Sequence, residues 1–309
     1  MLEKIVDSCK YVMDNAKFVK INYERLNEFI DTIDNKEIKH WLSSNPNNIL
    51  DLGIENIINF FLLFQAIDYS FWGVPKWTIN TEVGEKDGLD ALLYAMLKYV
   101  KDKSIADLYD ITYEEFKTIL KGNVEIPLIK ERYEAIAQIS KVVKEKMNGN
   151  FYKYIYQVRS DNELFEIITK NFTSFKDERE YKGKTIYLYK LAQLLTSDIL
   201  RLRERFEKIE VCYSHLSGCA DYKIPQTMRA FGIIEYNEEL SNIVDNRIEM
   251  DYSSEYEVEI RASMIVVIDY IKNKMENINA IDINDFFFCA SKKVKSVVKP
   301  YHLCRNQNY

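Results

Sequence analysis

Apolar residues recur at steps of three and four along most of the chain, and this spacing constrains the fold more than any other feature. In residues 90–101, one helical face carries Leu92, Leu93, Met96, Leu97 and Val100. The stretches 126–147, 187–208 and 260–276 repeat the pattern. Only 9 Gly and 5 Pro occur in 309 residues, which is few for a fold built from many short strands and turns. The sequence therefore predicts an all-α, mainly helical protein.

Two short segments are candidates for extended structure in this helical background. Residues 77–79 follow Pro75, and residues 184–187 follow Gly183. Neither belongs to a sustained alternation of apolar and polar residues, so we expect at most a few short strands. No internal repeat or low-complexity linker divides the chain. We expect a single domain over 1–309, with two intimate helical lobes as the alternative.

The charge balance bears on the kind of ligand. Asp and Glu outnumber Lys and Arg by 48 to 42, giving a formal net charge of -6. Proteins that bind long nucleic acids normally present a basic face, so a small-molecule substrate is expected here instead. The longest apolar stretch, 57–67, is too short to span a bilayer, and no signal peptide is visible. We expect a cytoplasmic protein that does not associate with membranes.

The cysteines and histidines indicate neither a disulfide framework nor a metal centre. The five cysteines are odd in number and contain no C-x-x-C pair. The histidines are His40, His215 and His302. No metal-binding cluster is evident from these positions, so we expect no metal and no cofactor, and we interpret the cysteines as buried reduced thiols.

Residues 224–244 predict two short helices joined at a glycine. Pro225 stands in the first turn of the first helix, Gly232 ends it, Ile233-Ile234 form a tight connection, and Asn237 opens the second helix. Helical DNA glycosylases contain such a helix-hairpin-helix unit. Because any pair of antiparallel helices has the same form, the pattern alone does not identify a function.

Several sequence blocks point to one family. Residues 218–240 read GCADYKIPQTMRAFGIIEYNEEL. Further blocks follow in order: Ser70-Phe71-Trp72, Ile126-Pro127-Leu128 with Glu131-Arg132, Tyr189-Lys190 with Ala192-Gln193, Glu257-Val258-Glu259-Ile260-Arg261, and Pro300-Tyr301-His302 with Arg305 and Tyr309. Together they resemble the queuosine-salvage family of queuosine 5′-phosphate N-glycosylases. The resemblance implies a fold like that of helix-hairpin-helix DNA glycosylases. It also implies cleavage between ribose C1′ and a 7-deazaguanine base, yielding ribose 5-phosphate and queuine for salvage into tRNA.

The same resemblance implies candidate site residues. It makes Asp221 the catalytic carboxylate. The substrate-binding candidates are Phe71, Trp72, Asp285, Phe286 and His40. The candidates that brace the site are Glu259, Arg261 and Lys223.

Some positions depart from the family pattern. Lys223 stands where Arg is more frequent, and Cys289 stands at a Trp position. A register slip would give the role of Asp285 to Asn284. His40 lies two positions too early relative to Asn45-Pro46. On the residues alone, an Asp just before a helix is also typical of an N-cap.

The chemistry explains why these residue types are expected. Cleaving an N-glycoside builds positive charge on the ribose, which a carboxylate stabilises or attacks. Queuine has carbon where a purine has N7, so the enzyme must assist the leaving base at another edge, for which Asp285 is a candidate. Phe71, Trp72 and Phe286 would stack on the base, worth roughly 1–3 kcal/mol per base.

Two other functions remain open at this stage. A repair-type DNA glycosylase would need a phosphate-binding face and a base-flipping wedge, which the net charge of -6 does not favour. A non-catalytic helical protein that binds a partner would retain its function without Asp221.

Overall fold

Helices supply most of the structure in the computed structural model, which describes residues 2–33, 40–41, 49–293 and 299–309. The α-helices are α1 Glu3–Asp14, α2 Tyr23–Ile30, α3 Ile54–Gln65, α4 Gly88–Asp102, α5 Ile105–Tyr109, α6 Tyr113–Ile119, α7 Ile129–Lys146, α8 Phe151–Tyr154, α9 Asp161–Asn171, α10 Lys190–Glu207, α11 Lys223–Ala230, α12 Glu238–Asp245, α13 Glu255–Lys274 and α14 Ala280–Lys293. Short 3-10 turns lie at Ile49–Leu52 and Thr173–Phe175. The prediction of a mainly helical fold is confirmed.

The strands form small antiparallel pairs. They are β1 Val19–Ile21, β2 Thr78–Thr81, β3 Gly84–Asp87, β4 Glu178–Tyr181, β5 Lys184–Tyr187 and β6 Ile234–Tyr236. In the described ranges, β2 pairs with β3, β4 with β5, and β1 with the distant β6. Both predicted extended segments are therefore strands, each in a local hairpin.

The connection between α11 and α12 differs from the expected tight link. Gly232 has a φ of 72°, in the left-handed region that glycine adopts without strain. The chain then runs on as β6, whose Ile234 lies opposite Ile21. Asn237 caps α12 by accepting a hydrogen bond from the Leu240 N–H, as predicted. The motif is thus helix, strand and helix, because the connection also closes a sheet with the N-terminal segment.

The core is centred on α13. This helix is buried around most of its circumference from Glu257 to Ile268. It packs against α1, α11 and α14, while α10 packs against α3 and α9. Buried apolar side chains from Leu2 to Tyr309 form one connected cluster, and for this reason we propose that the chain folds as a single domain.

Two helices begin later than the apolar spacing indicates. Leu128 and Tyr189 both have left-handed backbone conformations, with φ of 56° and 51°. The helices α7 and α10 therefore start one residue after them, and Lys190 becomes the first residue of α10. Among the described helices, none is long and apolar enough to cross a membrane.

Candidate active site

A cavity of about 380 Å³ lies where the first turns of α4, α10 and α11 meet the side of α14. Asp221, Lys190 and Asp68 line it together with Phe71 and Trp72. Of the predicted site residues, Asp221, Phe71, Trp72, Lys223 and Asp285 meet in this one cavity. Residues more than 200 positions apart along the sequence thus line one cavity.

Asp221 lies two residues before the start of α11. Its Oδ1 accepts hydrogen bonds from the backbone N–H groups of Lys223 at 2.9 Å and Ile224 at 2.8 Å. Burial raises the pKa of the Asp221 carboxyl, while these N–H groups and the nearby Lys190 ammonium act in the opposite direction. The N-cap interpretation and the catalytic interpretation are therefore compatible, because the residue that caps the helix also lines the cavity.

A buried ion pair, Lys190 with Asp68, stands beside Asp221. The Lys190 ammonium donates to Asp68 Oδ2 at 2.8 Å and to the Asp68 carbonyl at 3.1 Å. Both side chains are mostly buried and both line the cavity. Neither residue was singled out from the sequence, although Lys190 belongs to the Tyr189-Lys190 block and Asp68 lies just before Ser70-Phe71-Trp72. The sequence blocks indicated that both regions matter, but no local pattern indicated that these two side chains form an ion pair.

Phe71 and Trp72 supply aromatic surface to the cavity and are also held by the protein. Phe71 stacks on Trp77 with ring centroids 6.4 Å apart. The Arg132 guanidinium carbon lies 4.9 Å from the Phe71 ring centroid, and that of Arg305 lies 4.2 Å from the Trp72 centroid. Rings fixed in this way lose little freedom when a flat ligand binds.

Phe286 lies away from the cavity, contrary to the expectation that it stacks on the base. Its ring contacts Phe29 at 6.0 Å and Phe287 at 5.8 Å. Phe288 lines the cavity instead. Two positions along a helix differ by about 200° in direction, so Phe286 and Phe288 face opposite sides of α14.

Asp285 and Asn284 both reach the cavity from α14. Asp285 accepts a hydrogen bond from Arg201 at 2.7 Å, and burial raises the pKa of its carboxyl while Arg201 opposes that shift. Asn284 Oδ1 accepts the Cys219 N–H at 2.9 Å. Asn284 therefore fixes the segment leading to Asp221, whereas Asp285 offers a charged edge.

His40 contacts Asp198 and is not among the residues that line the cavity. Its Nε2 lies 2.8 Å from Asp198 Oδ1. The same carboxylate accepts the indole N–H of Trp41 at 3.1 Å, and Trp41 does line the cavity. His40 thus lies behind the wall, and Asn45-Pro46, the pair used to judge its register, lies outside the described residues.

The C-terminal segment closes one side of the cavity. The Ser70 N–H donates to the Tyr309 carbonyl at 2.9 Å, and Ser70 Oγ donates to the Asn306 carbonyl at 2.7 Å. Tyr301 and Tyr309 line the cavity, and their rings lie 4.7 and 6.3 Å from that of Tyr222. These contacts join the end of the chain to the segment that carries Phe71 and Trp72.

Arg261 holds the backbone segment that leads to Asp221. Its Nε donates to the Ala220 carbonyl at 2.8 Å, and its two terminal nitrogens bind Asp177 and Glu257. Glu259 is not among the residues that line the cavity. Its carboxylate accepts hydrogen bonds from the backbone N–H groups of residues 17–19 and from the Tyr181 hydroxyl. Glu259 therefore anchors the N-terminal segment, and Arg261 alone of the two touches the site's backbone.

Besides Lys190, two further lysines place positive charge on the cavity wall. Lys223 and Lys76 both line it. The Lys223 ammonium lies 4.5 Å from the Tyr301 ring centroid, and burial lowers its pKa. Lys76 pairs with Asp87 at 2.6 Å, next to the first turn of α4. An anionic group would find two cations and a helix N-terminus within one wall.

Comparisons with known proteins point to one family. The family described as queuosine salvage protein matches residues 49–309. A Sphaerobacter thermophilus protein is 26% identical over 99% of this chain and 97% of its own length. A Dictyostelium discoideum protein is 25% identical over 97% of both chains, and a Mus musculus protein is 25% identical over 96% of this chain and 90% of its own. All three are named queuosine 5′-phosphate N-glycosylase/hydrolase.

Proposed function

The chain belongs to the queuosine salvage protein family, and from this premise we propose that it hydrolyses the N-glycosidic bond of queuosine 5′-monophosphate. The products are queuine, which is salvaged for tRNA, and ribose 5-phosphate. The enzyme is an N-glycosylase, and the similarity extends over nearly the whole chain, which does not favour a repair glycosylase or a non-catalytic partner. The observation that supports this function best is the position of Asp221 in an aromatic-lined cavity.

We assign the catalytic carboxylate to Asp221. Its hydrogen bonds to the described protein use Oδ1, which leaves Oδ2 for the ribose. As the glycosidic bond breaks, positive charge develops on the ring, and a carboxylate below C1′ stabilises it or adds to it. Water then completes hydrolysis at C1′. The Lys190 ammonium, paired with Asp68 beside it, acts against the rise that burial causes in the Asp221 pKa.

The leaving base would lie against the aromatic wall. Phe71, Trp72 and Phe288 offer ring faces to the heterocycle. Asp285, held by Arg201, would accept N–H groups of the base edge and orient the heterocycle. The base leaves with the electron pair of the C1′–N bond and takes up the proton that water releases when its hydroxyl adds to C1′. Queuine has no N7, so the protonation at N7 that assists purines does not contribute.

The 5′-phosphate would bind at the opposite wall. Lys223 and Lys76 supply charge, and the first turn of α4 lines the same cavity. Lys223 lies near Asp221, and Lys76 pairs with Asp87. A phosphate would therefore compete with these carboxylates for the two lysines. The substrate is thus oriented with its charged end at α4 and its base at α14.

We place this reaction in the cytoplasm. Cys9, Cys212, Cys219 and Cys304 are thiols rather than disulfides, which matches a reducing compartment. The expected substrate is a small molecule, for which a cavity of about 380 Å³ is suited.

The direct test is incubation of purified protein with queuosine 5′-monophosphate and detection of queuine and ribose 5-phosphate by mass. Unphosphorylated queuosine serves as the matched substrate and measures the contribution of the phosphate wall. Failure to release queuine from either compound, by protein with a normal melting transition, would overturn the proposal.

A further inference from the structure

A second cluster of reactive side chains lies outside the cavity. It consists of Asp161 at the start of α9 and of Cys212 and His215 in the segment that follows α10. One carboxylate oxygen, the cysteine sulfur and one imidazole nitrogen lie within 4.8 Å of one another. None of the three residues lines the cavity that contains Asp221. We propose that Asp161, Cys212 and His215 bind a divalent transition-metal ion of the zinc class.

The distances suit a metal better than a catalytic relay. His215 Nδ1 lies 2.9 Å from Asp161 Oδ1 and 4.0 Å from Cys212 Sγ. In a tetrahedral zinc site, ligand atoms are separated by about 3.3–3.7 Å, so shifts of about 0.5–1 Å convert the cluster into a coordination shell. A Cys-His-Asp relay would use both imidazole nitrogens, whereas here the sulfur and the carboxylate approach the same one.

The backbone holds the ligands in place without a metal. The Asp161 N–H donates to the Cys212 carbonyl at 2.9 Å, and the Cys212 N–H donates to the Arg159 carbonyl at 2.9 Å. Asp161 is fully buried, and its Oδ2 accepts the His215 N–H at 2.7 Å. Three donors of different chemistry are therefore positioned by secondary structure, and little ordering remains when a metal binds.

The donor set selects the class of metal. A thiolate, an imidazole and a carboxylate together suit Zn²⁺ and other late first-row divalent ions, and they do not suit Ca²⁺ or Mg²⁺. On binding, the thiol loses its proton to solvent, and the imidazole stays neutral with its proton on Nε2. Two negative ligands then balance the charge of the ion, and water fills the fourth position.

The site would act on the segment that carries Asp221. From His215 the chain runs through Ser217, whose N–H and hydroxyl both bind Gln193, to Asp221. A metal at Cys212 and His215 would tie the start of this segment to α9. Its role is therefore structural or regulatory, and it is independent of the glycosylase assignment.

The test is a titration of the full chain with Co²⁺ and Zn²⁺ after reduction and removal of metals by a chelator. We expect one Co²⁺ per chain, with a thiolate-to-cobalt charge-transfer band that Zn²⁺ abolishes by displacement. Cys212→Ser should remove this band. Loss of even a supporting partner of a metal ligand costs about 10- to 100-fold in affinity, so His215→Ala should weaken zinc binding at least tenfold.

Two controls make each outcome decisive. Cys289→Ser alters a partly exposed cysteine outside the cluster and should leave both binding and the band unchanged. Thermal melts show whether Cys212→Ser is folded; if it is not, His215→Ala, at a side chain with 40% exposure, decides the question. The absence of saturable binding at one equivalent, or binding that survives His215→Ala unchanged, would overturn the proposal.

Discussion

The Asp221 carboxylate accepts a hydrogen bond from the Ile224 backbone N–H at 2.8 Å, so the proposed catalytic group is also the cap of α11. Oδ1 of the carboxylate accepts the first N–H groups of the helix, and the Asp221 side chain lines the cavity together with Lys190. Under the proposed function, catalysis and local folding therefore depend on the same side chain. Substitutions that keep its hydrogen bonds but remove its charge can separate the two roles.

Asp221→Asn should abolish queuine release while leaving the fold intact. The amide oxygen can still accept the Lys223 and Ile224 N–H groups, but it offers no negative charge to the ribose cation. Loss of such an electrostatic group typically lowers the rate by about 10²–10³ or more. The measurement is single-turnover cleavage of queuosine 5′-monophosphate beside a melting curve. A mutant within about threefold of wild type would show that Asp221 is not the catalytic carboxylate.

Asp221→Ala is the matched variant for the capping role. It should be as inactive as Asp221→Asn. Its free energy of unfolding should be about 1 kcal/mol lower than that of Asp221→Asn, because the helix loses its side-chain cap. Chemical denaturation of both variants measures the difference. Equal stability of the two would mean that the hydrogen bonds of Oδ1 contribute nothing to the fold.

The pH dependence of stability follows from the raised pKa of Asp221. Since burial raises this pKa above its ordinary value of 3.8, the protonated form favours the folded state. That contribution is fully present below pH 3.8 and is lost as the pH rises through the folded-state pKa. Asp221→Asn has no charge to bury, so its melting temperature should exceed that of wild type at neutral pH and converge with it in acid. A constant offset at every pH would contradict the shift.

The same shift predicts an acid limit on catalysis. The carboxylate must be ionised to stabilise the ribose cation, so kcat/KM should fall as the pH drops through a value above 3.8. The profile of kcat/KM against pH for the wild-type enzyme measures this limit. A profile that stays flat down to the ordinary aspartate pKa would exclude a buried, raised Asp221 in the free enzyme.

Local patterns were sufficient to predict the elements but not their long-range partners. The 90–101 spacing predicted α4, and Asn237 was predicted to open the helix that is now α12. By contrast, β1 and β6 are three-residue strands that pair across more than 200 positions, and nothing local marks either of them. Their pairing depends on long-range packing, because α13 packs against β1 while α11 and α12 pack against β6.

The site could be predicted only where a residue's chemistry was distinctive. Asp221 was identified through its sequence block, and the structure places it in the cavity. The Lys190–Asp68 pair, 122 positions apart, was missed because neither residue reveals its partner. Which of Phe286 and Phe288 faces the cavity depends on the orientation of α14 about its own axis. Three consecutive phenylalanines do not indicate which face of the helix points to the cavity.

Phe288→Ala should weaken substrate binding, whereas Phe286→Ala should not. Phe288 lines the cavity, and stacking on a base is worth roughly 1–3 kcal/mol, so KM should rise about 5- to 150-fold. Phe286 packs against Phe29 and Phe287, so its removal should lower the melting temperature and leave KM unchanged. Steady-state kinetics of both variants make the comparison. A larger rise in KM for Phe286→Ala would reverse the assignment.

Glu259→Gln should destabilise the protein without slowing the reaction of folded molecules. The Glu259 carboxylate accepts the backbone N–H groups of Lys17, Phe18 and Val19 and the Tyr181 hydroxyl, all outside the cavity. Glutamine has one acceptor oxygen, and its amide would face donors, so several charge-assisted hydrogen bonds weaken. Because each is worth about 1.5–3 kcal/mol, we expect a loss of at least about 2 kcal/mol. Glu276→Gln, at an exposed position, is the matched control and should stay within about 0.5 kcal/mol of wild type. Urea denaturation gives the stabilities, and kcat is measured at a temperature where each variant is folded. A fall in kcat with stability retained would mean that Glu259 acts on the site, as the sequence blocks first indicated, rather than on the N-terminal segment.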